Sequence, residues 1–195
     1  MVAKRSSRSQ DILQALARML EGSRGGRITT AALATELGVS EAALYRHFPS
    51  KTGMYEGLID FIEETIFARV NAIINDEPDT INQCHRLIGL TLTFAEKNPG
   101  ICRLLHGDAL TGETIKLHER IDQFFKRLES QFKQVLREAE IRQGPNINVP
   151  VSVAADMLMV FLEGKISQFV RSGFKQPPTQ YWSEQWPLLE DQLFN

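Results

Sequence analysis

The sequence predicts an all-α fold in two parts: a helix-turn-helix domain, residues 1–55, and a helical domain, residues 56–195, consisting of a connector helix and a bundle that dimerises. Two observations indicate this fold. Apolar residues recur at helical spacing through most of the chain, and breaks rich in glycine and proline, such as 98–100 and 144–146, separate the periodic segments. No stretch has the strict alternation that is typical of a half-buried strand.

Charge is distributed unevenly along the chain. Residues 1–55 carry eight Lys/Arg against four Asp/Glu, a net charge of +4, and the remainder carries 14 against 20, a net charge of −6. A basic end suits a protein that presents that end to a polyanion. The polar N-terminus is unlike a signal peptide, and no run approaches the roughly 18 apolar residues of a membrane span. With Cys84 and Cys102 expected as free thiols, we predict a cytoplasmic protein.

The N-terminal domain is expected to begin with a basic arm, residues 1–8, followed by a helix from Ser9 to a glycine-rich loop at 22–26. Residues 28–51 then predict two short helices joined by a tight turn. Thr29 or Thr30 can cap the first of them, a glycine ends it, and Ser40 can cap the second. Because helices of two turns are not stable alone, both must pack on the preceding helix.

The outward surface of the second short helix is small and polar, which suits a major groove. A helix-turn-helix inserts this helix N-terminus first, so Ser40, Glu41 and Ala42 are expected nearest to base edges. Side chains further along, and the threonines at the start of the first helix, are expected to contact phosphates. The complete predicted DNA-binding set is Thr29, Thr30, Ser40, Glu41, Ala42, Ala43, Tyr45, Arg46, His47 and Lys51.

Six further helical segments follow. Their predicted bounds are 52–75 for the connector, then 80–97, 101–105, 113–143, 151–172 and 182–194, the last interrupted near Pro187. The segment 151–172 is apolar nearly all round between Val153 and Leu162, so it needs partners on two sides. We expect one side to face a second subunit. The residues predicted for this dimer contact are Leu158, Phe161, Leu162 and Phe169.

The run T-x-x-x-L-A-x-x-x-G-V-S-x-x-x-L-Y-x-H-F-x-x-K, from Thr29 to Lys51, resembles the DNA-binding signature of the TetR family. This resemblance implies three N-terminal helices that bind palindromic double-stranded DNA, a connector, and a bundle that forms a homodimer through its last two long helices.

Three further segments, FAEKNPGICRLLHGDAL, QVLRE and FVRSGFKQPPT, resemble a branch of this family that blocks cell division over the nucleoid. That resemblance implies a nucleoid-associated protein that binds the tubulin homologue FtsZ and antagonises its assembly. The residues that match the implied FtsZ site are Phe61, Arg69, Lys97 and Asn98. Gly53 departs from the pattern, because a longer basic residue is usual there.

Two other classes of function compete with this interpretation. The first is a TetR-type repressor that responds to a small-molecule effector. A small-molecule ligand is expected only under this alternative. The second is an enzyme, but the four histidines have no nucleophile or acid at a catalytic spacing and no phosphate-binding glycine loop is present. Cys102 and His106 have half the spacing of a metal site. We expect no enzyme activity, no cofactor and no metal.

Overall fold

The computed structural model describes residues 7–23, 26, 28–142 and 144–194, and within them the fold is all-α, as the sequence predicts. The helices are α1 Ser7–Gly22, α2 Thr30–Glu36, α3 Glu41–Tyr45, α4 Lys51–Asp76, α5 Thr80–Lys97, α6 Pro99–His106, α7 Ile115–Ile141, α8 Val151–Arg171 and α9 Trp182–Leu193. A 3₁₀ turn, Asp108–Leu110, follows α6, and Ile147 and Phe194 form an isolated antiparallel bridge.

Most of the predicted basic arm and two residues of the predicted glycine-rich loop, Arg24 and Gly25, lie outside the described residues. In the part of the chain that is described, no helix is both long and apolar enough to cross a membrane.

The chain forms two compact units. Unit 1 comprises the described part of Met1–Ile62 together with Asn98–Ile121, and unit 2 comprises Glu63–Lys97 and Asp122–Asn195. The sequence predicts a division at residue 55 and does not associate the segment 98–121 with the N-terminal helices. Helix periodicity carries no information about such a long-range association.

In unit 1, α6 packs directly on α1. A Cβ atom on Gly100 would lie 1.9 Å from the carbonyl oxygen of Ala17, so the two backbones approach too closely for any other residue. The buried Arg103 donates from Nη1 to the Leu20 carbonyl at 3.2 Å and from Nη2 to Asp108 Oδ2 at 2.7 Å. Because the last carbonyls of a helix have no partner within it, Arg103 completes the C-terminal end of α1.

In unit 2, α5 packs against α8 and α9. The Gln83 side chain donates to the carbonyls of Ile74, at 3.0 Å, and Glu77, at 2.6 Å, and so closes the break between α4 and α5. The inner side of α8 consists of apolar residues that are fully buried within the chain: Ala154, Ala155, Leu158, Met159, Leu162, Ile166 and Phe169.

Candidate nucleic-acid interface

The two short helices are capped as the sequence predicts. Thr29 Oγ1 accepts a hydrogen bond from the Ala32 amide at 3.1 Å, and Ser40 Oγ accepts one from the Ala43 amide at 3.3 Å. Each bond satisfies an amide that has no partner within the helix. These threonine and serine hydroxyls therefore fix where α2 and α3 begin.

The turn between α2 and α3 depends on Gly38, which has φ of +64°. Its amide donates to the Thr35 carbonyl at 3.1 Å, and the Val39 amide donates to the Ala34 carbonyl at 2.9 Å. This pair of bonds is a Schellman motif, which requires a left-handed residue and so favours glycine. The motif redirects the chain into α3.

Helix α3 presents a polar outer surface. Leu44 is its buried anchor in unit 1, Ala43 is half-buried, and the exposed residues are Ser40, Glu41, Ala42, Tyr45, Arg46 and His47. The regular helix ends at Tyr45, earlier than the predicted limit at Pro49. The His47 and Phe48 amides both donate to the Leu44 carbonyl, so a turn of different geometry occupies the intervening residues.

A short hydrogen-bond chain joins α2 to α3 across this surface. Thr30 Oγ1 donates to Glu41 Oε2 at 2.5 Å, and the Tyr45 hydroxyl donates to Thr30 Oγ1 at 3.4 Å. Thr30 therefore links Glu41 and Tyr45, two other residues that the sequence places on the DNA-binding surface. The pattern of the sequence does not reveal this pairing, because Thr30 and Glu41 lie on different helices.

His47 and Lys51 also have partners within unit 1. His47 Nδ1 lies 3.4 Å from Ser9 Oγ on α1. Lys51 Nζ lies 2.5 Å from Glu113 Oε1, just before α7, and 5.6 Å from the centre of the Tyr55 ring. The predicted phosphate ligand Lys51 is therefore already bound to a carboxylate, which the sequence analysis missed.

Two more ion pairs join α4 to α7 in unit 1. Glu56 Oε1 lies 2.6 Å from Lys116 Nζ, and Asp60 Oδ1 lies 3.0 Å from Arg120 Nη2. The charged positions follow helical spacing on both helices, but spacing alone does not show which helix faces which. These pairs fasten the start of α7 to the first half of α4.

The predicted FtsZ-site residues fall in both units. In unit 1, Phe61 is 42% exposed on α4, and Asn98 is half-buried at the N-cap position of α6. In unit 2, Arg69 is exposed on α4 and Lys97 is exposed at the last residue of α5. A basic residue there is favoured by the negative end of the helix dipole, so Lys97 also has a structural role.

The predicted dimer residues need correction. Leu158, Leu162 and Phe169 are buried in the core of unit 2, with exposed fractions of 3% or less, so these side chains are not available to a second subunit. Phe161 is half-buried, with its ring 5.6 Å from that of Trp182. The exposed apolar residues of α8 are Val153, Met157 and Val160. The sequence predicts a helix with two apolar sides, and the structure shows which side faces the chain's own core.

The half-motif of a metal site at Cys102 and His106 is not completed in the described part of the chain, where no group of three or more potential ligands occurs. Cys102 and Cys84 are both buried free thiols. Burial raises the pKa of each thiol from its ordinary value of 9.0 to about 12. Because the thiolate is the form that binds metals, burial works against ligation by either residue.

Nine helices in the described part of the chain, with a capped, exposed helix-turn-helix near the N-terminus, have the organisation of a TetR-type DNA-binding regulator. The family described as "Bacterial regulatory proteins, tetR family" matches residues 12–58, and the SlmA-like "Tetracyclin repressor-like, C-terminal domain" matches residues 78–194. Curated relatives include the nucleoid occlusion factor SlmA of Shewanella oneidensis, 54% identical over 98% of both chains, and that of Idiomarina loihiensis, 52% identical over the full length of both. The chain belongs to the SlmA branch of the TetR family.

Solved structures share the fold at low sequence identity. They include the regulator FadR of Bacillus subtilis in complex with stearoyl-CoA, with a TM-score of 0.80 and 14% identity over 94% of this chain and 98% of that one. A TetR regulator from Haloarcula marismortui gives a TM-score of 0.80 and 17% identity over 97% and 99%. At such identities the likeness concerns the fold alone.

Proposed function

We propose that this protein is a nucleoid occlusion factor, a dimeric DNA-binding protein that antagonises FtsZ assembly over the chromosome. The observation that supports it most strongly is the 52–55% identity to curated SlmA proteins over nearly the full chain. The proposal places the protein in the cytoplasm on the nucleoid, with no catalytic role and no cofactor.

DNA recognition is assigned to α3 and its surroundings. Ser40, Glu41 and Ala42 lie at the exposed N-terminal end of α3, the end that enters the major groove in helix-turn-helix proteins. Glu41 is suited to accept a hydrogen bond from a cytosine amino group. Phosphate contacts are assigned to Thr29, Thr30, Tyr45, His47 and Lys51. Ala43 and Arg46 complete the proposed DNA-binding set.

Dimerisation is assigned to the exposed apolar side of α8, which comprises Val153, Met157 and Val160, with Phe161 at its edge. Clustered apolar side chains on one helix suit a contact that excludes water. A dimer would read a palindromic site with two copies of α3.

The FtsZ contact is assigned to Phe61, Arg69, Lys97 and Asn98, on the basis of the SlmA resemblance. Phe61 offers an exposed aromatic surface and Arg69 an exposed guanidinium, a combination that suits a peptide carrying apolar and acidic side chains.

The sharpest test separates the two binding activities. Arg69→Asp should abolish association with FtsZ and leave DNA affinity nearly unchanged, because Arg69 lies roughly 27 Å beyond Lys51 along an ideal helix α4, more than a Debye length away. Lys51→Ala should weaken DNA binding directly. Arg86→Asp, another exposed arginine of unit 2, is the matched control and should retain both activities.

Either of two results would contradict the proposal: no association of the wild type with FtsZ in the presence of its selected DNA, or an equal loss of DNA affinity in Arg69→Asp and Lys51→Ala. Release of the DNA by a small molecule, with no effect on FtsZ, would instead support the effector-responsive repressor.

A further inference from the structure

The ion pair between Lys51 and Glu113 is partly shielded from water. The exposed fractions of the two side chains are 20% and 6%, and Nζ lies 2.5 Å from Oε1. Lys51 is the first residue of α4, whereas Glu113 belongs to the connection between the 3₁₀ turn and α7, 62 residues later. A pair in this position is stronger than an exposed one, because water screens it less.

Lys51 therefore has two possible anionic ligands once DNA is present. Lys51 begins the helix that follows α3 by five residues, and the DNA-binding surface assigned above includes it. A phosphate that approaches Nζ also approaches the Glu113 carboxylate, and like charges at such a distance repel one another. Simultaneous binding of Lys51 to both anions is thus unfavourable.

We propose that Glu113 competes with DNA for Lys51: it holds the ammonium group in the DNA-free protein, and a backbone phosphate displaces it when DNA binds. This inference rests on the proposed DNA-binding function. Under this proposal Glu113, a residue outside the helix-turn-helix, lowers the affinity for all DNA. Its displacement by DNA also changes the conformational freedom of the connection at residues 111–114.

The neighbouring ion pairs explain why the effect stays local. Glu56–Lys116 and Asp60–Arg120 join α4 to α7 beyond the Lys51 end, and neither includes Lys51. The body of α7 consequently remains attached to α4 when Glu113 is displaced. The residues released are the short connection that precedes α7, where Gly112 has φ of +76°.

The first test measures binding of the full-length protein to a selected duplex and to an unrelated duplex of equal length. Glu113→Gln should bind both duplexes roughly two- to fivefold more tightly than the wild type, the range expected for removing one ion-pair competitor. Glu56→Gln is the matched control, since it removes a carboxylate whose cation is Lys116. In a Lys51→Ala background, Glu113→Gln should have no further effect.

The second test is hydrogen exchange of the amides of residues 111–114. Wild-type exchange should accelerate when DNA is added, and Glu113→Gln should show the faster exchange already without DNA. A global decrease in stability would change amides throughout unit 1, so amides of α1 serve as an internal reference.

The inference is overturned if Glu113→Gln binds DNA no more tightly than Glu56→Gln, or if exchange at 111–114 slows when DNA binds to the wild type. Either result leaves the DNA-binding function intact. Absence of duplex binding by the wild type would overturn the proposed function and this inference together.

Discussion

At the level of single residues, the local environment decides what each functional group can do. Cys84 and Cys102 are fully buried, and burial holds their thiols protonated, with pKa values of about 12. Lys51, in contrast, lies in an ion pair, with Nζ 2.5 Å from Glu113 Oε1. Burial thus accounts for the chemistry of the two thiols, and a nearby carboxylate for that of Lys51.

The buried thiols predict a specific dependence of stability on pH. Between about pH 9 and 12, the unfolded chain has released the Cys84 proton while the folded protein retains it, so raising the pH favours unfolding. Each such thiol lowers the free energy of unfolding by about 1.4 kcal/mol per pH unit in this range. Urea denaturation at pH 8.5, 9.5 and 10.5 measures the slope.

Cys84→Ala is the informative variant, because it removes one titrating group. It should reduce the slope of the free energy of unfolding against pH by the contribution of one proton, about 1.4 kcal/mol per pH unit. An unchanged slope in Cys84→Ala would contradict the assignment. Consistent with the raised pKa, both native thiols should resist iodoacetamide at pH 8, whereas the denatured protein should react at both.

Lys51 predicts a salt dependence. Lys51→Ala should weaken binding to every duplex alike and reduce the slope of log K against log salt by about one, because one phosphate contact releases about one counterion. Binding isotherms between 50 and 200 mM salt, on selected and unrelated duplexes, test this. Loss of sequence preference with affinity retained would be the contrary result.

The residues of the helix-turn-helix were predictable because the forces that place them are local. Thr29 and Ser40 cap helices that begin one residue later, and Gly38 supplies a left-handed turn between them. The ion pair of Lys51 with Glu113 was not predictable, since 62 residues separate the partners and only the tertiary fold brings them together.

At the level of elements, the close approach of α6 to α1 organises unit 1. Gly100 allows the two backbones to touch, and Arg103 binds the end of α1 and Asp108 at once. The sequence predicts a helix over 101–105, but not its association with α1. A charged residue inside the apolar run ICRLLH was the one signal that a buried partner existed.

Gly100→Ala should therefore destabilise the protein by at least about 2 kcal/mol, because the added methyl would overlap the Ala17 carbonyl and force the helices apart. Gly53→Ala is the matched control: its Cβ would make only ordinary contacts, the nearest at 3.5 Å, so it should be neutral or slightly stabilising. Chemical denaturation measures both variants. Equal stability of the two would refute the account of the α1–α6 contact.

Helix α8 shows where periodicity stops being informative. The near-continuous apolar run predicts that both sides are covered, yet the pattern cannot say which side meets the chain's own core. The structure places Leu158, Leu162 and Phe169 inside unit 2 and leaves Val153 and Val160 outside. Only the packing of α5 against α8 resolves the choice.

At the level of the whole molecule, the account requires two copies of the chain on one DNA site. Val160→Glu should dissociate the dimer, because a carboxylate in an apolar contact costs several kcal/mol to desolvate without a partner. Ile141→Glu is the control, since Ile141 is 80% exposed on α7 and lies outside the assigned surface. Light scattering at micromolar concentration should give a monomer for Val160→Glu and a dimer for both the wild type and Ile141→Glu.

DNA affinity should fall together with dimerisation, because a palindrome is bound by two helix-turn-helix units at once. A monomeric wild type, or a Val160→Glu protein that remains dimeric, would remove the support for this surface. Leu158→Glu is unsuitable for this purpose, since it would place a charge in the core and unfold unit 2.

The central claim is that DNA binding and antagonism of FtsZ belong to one protein, and one measurement tests it most directly. Polymerisation of purified FtsZ is followed by light scattering in the presence of the protein with its selected duplex, with an unrelated duplex, or with no DNA. The account predicts that the selected duplex gives the strongest loss of FtsZ polymer. The same amount of FtsZ polymer in all three mixtures as in a sample of FtsZ alone would contradict the claim.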